Sequence, residues 1–241
     1  MTVKNKKNKL PTKHILIVDD HPMMRTGLAQ LINNEPDLKV IAEADNARQA
    51  VAVAGRQKFN LALLDLSLPD KNGLELIKDL RVLQPELPLL VVSMHDEMIY
   101  AERVLRAGAR GYIMKQEGGQ KILQGIRQVL AGRIYVSEKM SARIMEVFSN
   151  RHGGGENSSP VQQLSDREFE VYQLIGQGIG TRSIAERLHL STKTVEVHRA
   201  HIKHKLHLKT ATELVRHSVR WVDSQAPVSY THLTLPTILR V

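Results

Sequence analysis

The sequence predicts an α/β domain built on a five-stranded parallel, doubly wound sheet, followed by a small all-α domain. Three observations carry this expectation. From His14 to Gln128, short β-branched or leucine-rich runs alternate five times with longer amphipathic segments, the pattern of a parallel sheet covered by helices on both faces. Residues 165–222 then show four short helical segments and no strand period. Finally, a chain of 241 residues is long for one compact domain of roughly 100–150 residues and comfortable for two.

Taken in order, the strands are expected at 14–18, 39–43, 61–64, 88–92 and 111–114, with helices at 23–33, 47–56, 73–82, 98–106 and 120–131. Leu61-Ala62-Leu63-Leu64 and Leu89-Leu90-Val91-Val92 are apolar throughout, as strands buried on both faces must be. A further helix is expected near 137–149, where Met140, Ile144, Val147 and Phe148 recur at helical spacing behind the potential cap Ser137. Residues 151–160, with Gly153, Gly154 and Gly155, have the composition of a flexible linker. Beyond it, Ser165 and Glu168 form a capping-box pattern that opens a helix reaching about Gln177. A second helix is expected at 181–188, a tight turn at His189-Leu190-Ser191, and a third helix from about Thr192 to His207.

Composition narrows the function classes. No apolar run approaches the ~20 residues of a membrane-spanning helix, and the run 14–18 is too short for the core of a signal peptide, so no membrane partner and no export are expected. The absence of cysteine excludes disulfides, thiol catalysis and cysteine zinc sites, and fits a cytoplasmic location. The net charge of +9 is unevenly spread. Five lysines without an acid occupy residues 1–13, and residues 164–222 carry ten basic against six acidic side chains. A basic second domain behind a neutral first one points to a polyanionic partner.

Asp19 and Asp20 follow the first expected strand and Asp65 follows the third, while Ser93 and Lys115 stand after the fourth and fifth. All would meet at the carboxyl ends of the sheet, where open α/β sheets bind ligands. Singly, an Asp could cap a helix, Ser93 could sit in a turn and Lys115 could be a surface charge. Their joint placement after four different strands sets them apart. Three carboxylates repel one another unless a cation sits among them, and hard oxygen ligands favour Mg²⁺. Lysine and a hydroxyl suit the oxygens of a phosphoryl group, so the Asp65 carboxylate is expected to attack a phosphoryl donor.

These residues, with Leu64-Asp65-Leu66-Ser67-Leu68-Pro69-Asp70, Gly73 and Gly111-Tyr112-Ile113-Met114-Lys115, resemble the receiver domain of bacterial response regulators. The resemblance covers 14–131 and implies a flavodoxin-like fold with Asp65 as phosphoacceptor. It also implies Mg²⁺ held directly by Asp20, Asp65 and the Ser67 backbone carbonyl, with Asp19 acting mainly through water. Ser93 and Tyr112 would form a switch, the hydroxyl moving toward a new phosphoryl group and the ring turning inward. Lys115 is followed by Gln116, where many receivers have proline.

On the third helix of the second domain, Val195, Ile202 and Leu206 share one stripe, while Lys193, Glu196, Val197, Ala200, Lys203 and His204 project largely the other way. From Arg187 to Lys209 there are six Lys or Arg, five His and one Glu. Two helices joined by a short turn, the second one basic, have the geometry that enters a DNA major groove, although basic helix surfaces are also common without DNA. Residues 164–221 resemble the DNA-binding domain of NarL/FixJ, or LuxR-like, regulators through Ile184-Ala185-Glu186, Ser191-Thr192-Lys193-Thr194-Val195, Val197-His198-Arg199 and Lys205-Leu206. That resemblance implies that Glu196, Val197 and Ala200 face base edges while Lys193, Thr194, Arg199 and Lys203 hold phosphates. One short helix reads few bases, so a homodimer on paired half-sites roughly 10 bp apart is expected.

The expected organisation is therefore a basic disordered tail at 1–13, a receiver at 14–131 and a linker helix with flexible linker at 132–163. A LuxR-type helix-turn-helix domain at 164–222 precedes a non-native or disordered tail at 223–241. In that tail the run 228–237 resembles the translation of a transposase-end sequencing adapter. The expected function is a transcription regulator, not an enzyme, whose Asp65 is phosphorylated by a histidine kinase to control binding to double-stranded DNA. Two other classes stay open on the residues alone. One is an aspartate-nucleophile phosphohydrolase, although Ser67 stands where such enzymes carry a second Asp. The other is a DNA-binding architectural protein with an inert first domain.

Overall fold

A computed structural model describes residues 11–150, 160–188 and 190–225. The chain divides into two compact units, Met1–Asn157 and Ser158–Val241. Most of the lysine-rich tail, the glycine run 153–155, His189 of the expected turn, and residues 226–241 lie outside the described residues.

The first unit runs β1 (Lys13–Val18), α1 (Pro22–Asn33), β2 (Leu38–Ala44), α2 (Ala47–Ala54), β3 (Leu61–Leu64), α3 (Gly73–Leu83), β4 (Leu89–Ser93), α4 (Glu97–Ala107), β5 (Gly111–Met114) and α5 (Gly119–Leu130). All strand pairs are parallel, in the order β2-β1-β3-β4-β5. This is the doubly wound order that places a switch point between β1 and β3. Each element lies within two residues of its expected bounds, and the differences have local causes. For instance, α2 stops at Ala54 because Gly55 takes the cap position. Helix starts follow cap chemistry: Asn46, Asn72 and Asp96 accept backbone N–H groups of α2, α3 and α4 through their side chains. Pro22 opens α1.

The sheet is buried on both faces, as its unbroken apolar strands require. Ile15, Ile17, Leu61, Leu63, Leu90, Val92 and Ile113 pack with Leu28 and Ile32 of α1 and Ile122, Ile126 and Val129 of α5. Alternate residues such as Leu16, Val18, Ala62 and Val91 are equally buried and point to the opposite face.

Residues 133–137, expected to begin a linker, instead run beside the free edge of β5. Tyr135 donates its N–H to the Arg110 carbonyl (3.0 Å) and accepts that of Tyr112 (2.8 Å). Helix α6 (Glu138–Asn150) follows, with Met140 buried. The reason is an unpaired strand edge, met by the short β-forming run Ile134-Tyr135-Val136.

The second unit opens with a 3-10 turn at Pro160–Gln163, whose Val161 is buried, so its packing starts before the expected Leu164. Four helices follow: α7 (Asp166–Gly176), α8 (Thr181–Arg187), α9 (Thr192–Lys205) and α10 (Ala211–Gln225). The last runs three residues past the expected domain end at 222. Trp221 of α10 meets the rings of Phe169 and Tyr172 edge-on, with centroids 5.5 and 5.6 Å away. The expected capping box is present, with Ser165 accepting the N–H of Glu168 and Glu168 accepting that of Ser165. The buried Glu168 carboxylate also receives Lys205 Nζ at 2.6 Å, tying the start of α7 to the end of α9.

Burial works against the charge of Glu168, but Lys205 and Ser165 outweigh it and hold the carboxyl below its ordinary range. A lowered folded-state pKa stabilises fully above the unfolded value, near ~4.3, and that contribution is lost as pH falls through the folded value. Lys205→Met is therefore expected to lower the stability of the second unit at neutral pH by about 1–2 kcal/mol, a value reduced by the partial exposure of Lys205. Urea unfolding followed by the fluorescence of Trp221, the one tryptophan of the chain, measures this. The deficit should shrink as pH drops below about 4.3; a deficit independent of pH would mean that the ion pair is not its source.

Candidate functional site

Asp19 and Asp65 stand directly beyond β1 and β3, and their backbones extend the sheet ladder. The Asp19 N–H donates to Ala44 O (3.1 Å) and the Asp65 N–H to Val18 O (2.8 Å). Lys115, first residue beyond β5, sends its ammonium between them, with Nζ 2.7 Å from Asp19 Oδ2 and 2.7 Å from Asp65 Oδ2. The three side chains are only 2–3% exposed. Burial alone would depress the Lys115 pKa, but the hydrogen bonds and charges of Asp19 and Asp65 raise it instead, so the lysine is a fixed cation. The remaining oxygens are held by backbone: Asp65 Oδ1 accepts the Leu66 N–H (2.7 Å) and Asp19 Oδ1 accepts that of His21 (2.9 Å).

With Asp20, three carboxylates face one ammonium. Asp20 Oδ1 is buried and receives no hydrogen bond, although His21 Nδ1 lies 2.6 Å away, outside hydrogen-bond geometry. Ligand atoms of Asp19, Asp20, His21 and Asp65 all lie within 4.8 Å of one another. An orphaned carboxylate oxygen in an oxygen-rich, negatively charged pocket fits a hard divalent cation.

Ser93 ends β4 fully buried, and Tyr112 of β5 is 1% exposed. The Tyr112 hydroxyl donates to the His95 carbonyl (2.8 Å), and burial raises its pKa against a smaller opposing effect of the Ser93 hydroxyl. The Tyr112 ring is thus already turned inward, with its hydroxyl held by the loop after β4. Ser67 is exposed, with Oγ 3.0 Å from His95 Nε2. Gly73 is needed beneath this loop, because a Cβ there would stand 2.5 Å from Leu66 Cα.

Sequence reasoning missed three contributors. His21 and His95 adjoin the acidic pair and Ser93 in sequence, a signal that chain proximity alone could have supplied. His95 stacks on Tyr100 with centroids 4.5 Å apart, and burial lowers its pKa, with Lys115 adding to this and Asp65 opposing. Asp70, quoted above only as part of a motif, accepts the N–H groups of Ala47 (2.8 Å) and Arg48 (2.9 Å). Burial opposes its charge, but those two donors prevail and keep its carboxyl below the ordinary range.

In the second unit α9 is divided as its periodicity requires. Val195 and Ile202 are fully buried and Leu206 nearly so, whereas Lys193, Glu196, Val197 and Ala200 are exposed, Val197 to 46%. Thr194, Arg199 and Lys203 are half-buried. Three of the expected contact residues are engaged within the unit: Glu196 accepts the Thr181 hydroxyl (3.0 Å), Arg199 donates to Thr181 Oγ1 (3.2 Å), and the Thr194 hydroxyl lies 2.8 Å from Ser191 Oγ. Thr194 joins the cap of α9, its N–H donating to Ser191 Oγ (3.0 Å). Among the described residues, the expected contact residues Lys193, Val197, Ala200 and Lys203 make no such tie.

Residues 15–127 match the family described as "Response regulator receiver domain", and residues 162–218 match "Bacterial regulatory proteins, luxR family". The chain is 35% identical over 209 residues to "Oxygen regulatory protein NreC" of Staphylococcus carnosus (strain TM300), covering 86% of this chain and 96% of that protein. Among solved structures it resembles a two-component response regulator of the LuxR family from Aurantimonas sp. SI85-9A1, with 32% identity, TM-score 0.54 and coverage of 57% of this chain and 99% of the other. RcsB from Salmonella enterica serovar Typhimurium, bound to promoter rprA in the presence of the phosphomimetic BeF3⁻, shares the fold at 22% identity with TM-score 0.61 over 86% and 98% of the two chains. A buried lysine between two strand-end aspartates, a helix-turn-helix unit behind it and both family matches place this chain in the LuxR family of two-component response regulators.

Proposed function

We propose that a histidine kinase phosphorylates Asp65 and that this modification controls how α9 engages double-stranded DNA, regulating transcription. The observation that carries the reading is the Lys115 ammonium, held 2.7 Å from Asp65 Oδ2 beside an acidic pocket with an orphaned Asp20 oxygen. An Asp65 carboxylate oxygen attacks phosphorus, the bond from phosphorus to the donor's leaving group breaks, and the electron pair departs with that group. Lys115 stays with the transferred oxygens and screens their charge. Asp20, Asp65 and the Ser67 carbonyl would hold Mg²⁺, with Asp19 acting mainly through water and His21 at the rim. Bound there, Mg²⁺ supplies neutralisation of the phosphoryl oxygens. The Ser93 hydroxyl then turns to a phosphoryl oxygen, and the Tyr112 ring, already buried, backs it.

On the DNA side, Lys193 and Lys203 hold phosphates while Val197 and Ala200 face base edges. Short apolar side chains read little by hydrogen bonding, so DNA shape contributes to sequence choice. Glu196 and Arg199 must release Thr181 to take the roles that the family resemblance implies. Paired half-sites call for a homodimer on DNA, and a cytoplasmic setting suits both partners. Among the described residues no helix is long and apolar enough to cross a membrane.

Asp65→Asn is expected to abolish Mg²⁺-dependent labelling by acetyl phosphate, since the carboxamide keeps the shape and loses the nucleophilic charge. Mass spectrometry of the labelled peptide checks this, and equal labelling of the variant would move the acceptor elsewhere. Lys115→Ala should leave Asp65 accessible but blunt the response of DNA binding to phosphorylation.

For the interface, Lys203→Ala should weaken binding to specific and random duplexes alike and flatten the salt dependence by about one phosphate contact. Val197→Ala should instead change the preference between sites. Fluorescence anisotropy across a salt series separates the two, and an unchanged slope for Lys203→Ala would remove that residue from the backbone contacts.

A further inference from the structure

The chain beyond α5 is fastened at two places, the amino end of β5 and the first turn of α4, the helix that follows the loop leading from Ser93. Tyr135 bridges Gly111 and exchanges backbone hydrogen bonds with Arg110 and Tyr112. Two glycines make room for it: a Cβ on Gly111 would stand 2.7 Å from the Tyr135 carbonyl oxygen, and one on Gly125 would stand 3.1 Å from the Tyr135 ring. Two residues further on, Ser137 donates its N–H to Glu97 Oε1 at 2.7 Å. Ser137 Oγ in turn accepts the Met140 N–H (3.1 Å) and so caps α6. Glu97 is a buried carboxylate in the first turn of α4, and phosphoryl chemistry gives it no task.

Burying a carboxylate is costly unless a donor meets it, so Glu97 and the Ser137 N–H depend on each other. The stretch leading to Glu97 reaches the pocket at its other end. Ser93 Oγ accepts the His95 N–H (3.4 Å), the Tyr112 hydroxyl donates to the His95 carbonyl (2.8 Å), and Asp96 caps α4. One short stretch, 93–97, therefore starts at the end of β4, between the strand ends that carry Asp65 and Lys115, and holds the linker helix with its last residue.

We infer that residues 133–140 form a strap that carries the state of Asp65 to α6, with Glu97 as its latch. The inference rests on the reading of Asp65 as the phosphoryl acceptor. When the Ser93 hydroxyl is drawn to a phosphoryl oxygen, the loop at 94–96 follows it toward Asp65 and takes the first turn of α4 along. The Glu97–Ser137 hydrogen bond stretches, the strap loosens, and α6 gains freedom. By linkage, anything that loosens the strap also favours phosphorylation.

Hydrogen exchange of the full-length protein, with and without acetyl phosphate and Mg²⁺, tests the device, with occupancy at Asp65 read by mass spectrometry. In phosphorylated wild type, amides 135–145 should exchange at least about tenfold faster, equivalent to about 1.4 kcal/mol of protection. Glu97→Ala should exchange at that faster rate before phosphorylation, gain nothing from it, and reach a higher steady occupancy of phosphate on Asp65. Glu97→Gln, whose amide oxygen still accepts the Ser137 N–H, should behave as wild type. Unchanged exchange in wild type with Asp65 shown to be phosphorylated overturns the proposal, as does full acceleration retained in Glu97→Ala. If no phosphate is found on Asp65, the acceptor reading fails. The latch is still decided in that case, because normal protection of 135–145 in Glu97→Ala overturns it.

Discussion

The double contact of Lys115 with Asp19 and Asp65 is the constraint around which the first unit is arranged. Taking an ammonium and two carboxylates out of water costs several kcal/mol per ion before their attraction returns any of it. That attraction needs short distances, and both contacts measure 2.7 Å. The three residues come from the ends of β1, β3 and β5, and β4 lies between β3 and β5 in the sheet. Lysine's long stem reaches across the end of β4, where a shorter cation would fail. Sheet order, strand length and the identity of residue 115 are thus one requirement seen from three sides.

The loops around this contact are tied to helix starts, which keeps the reactive face in shape. Asp70 in the loop after β3 holds the first amides of α2, Asn72 caps α3 and Asp96 caps α4. Loops fastened in this way move as pieces together with the helices they cap. A small displacement at an Asp65 oxygen then has somewhere to go, because packed elements shift between discrete positions more readily than they deform. The strap at 133–140 lies at the far end of one such piece.

The second unit solves a different problem, that of presenting a polar helix from a small core. Val195 and Ile202 anchor α9 through one stripe, and the Glu168–Lys205 pair fixes its far end to α7. This leaves Lys193, Val197, Ala200 and Lys203 facing outward on a helix that cannot roll. In the proposed DNA contact, basic charge would supply attraction to any duplex, and the short side chains would discriminate between duplexes.

Sequence by itself determined the five strands, the helices between them and the split of α9 into inner and outer faces. Such features follow from periodicities of 2 and 3.6 that each segment carries locally. It also pointed to Asp19, Asp20, Asp65, Ser93 and Lys115, because strand ends of a parallel sheet converge wherever the strands themselves are legible. Only the tertiary structure decided how these residues share hydrogen bonds: that Lys115 spans two aspartates, that Asp20 keeps an orphaned oxygen, and that Glu196 and Arg199 are occupied with Thr181. The same holds for 133–137, which joins the edge of β5 although its β-forming run, Ile134-Tyr135-Val136, is too short to mark a strand by itself. Its conformation is set by Glu97, Tyr112, Gly111 and Gly125, distant in sequence, and a contact between residues tens of positions apart leaves no period for a local reading to find.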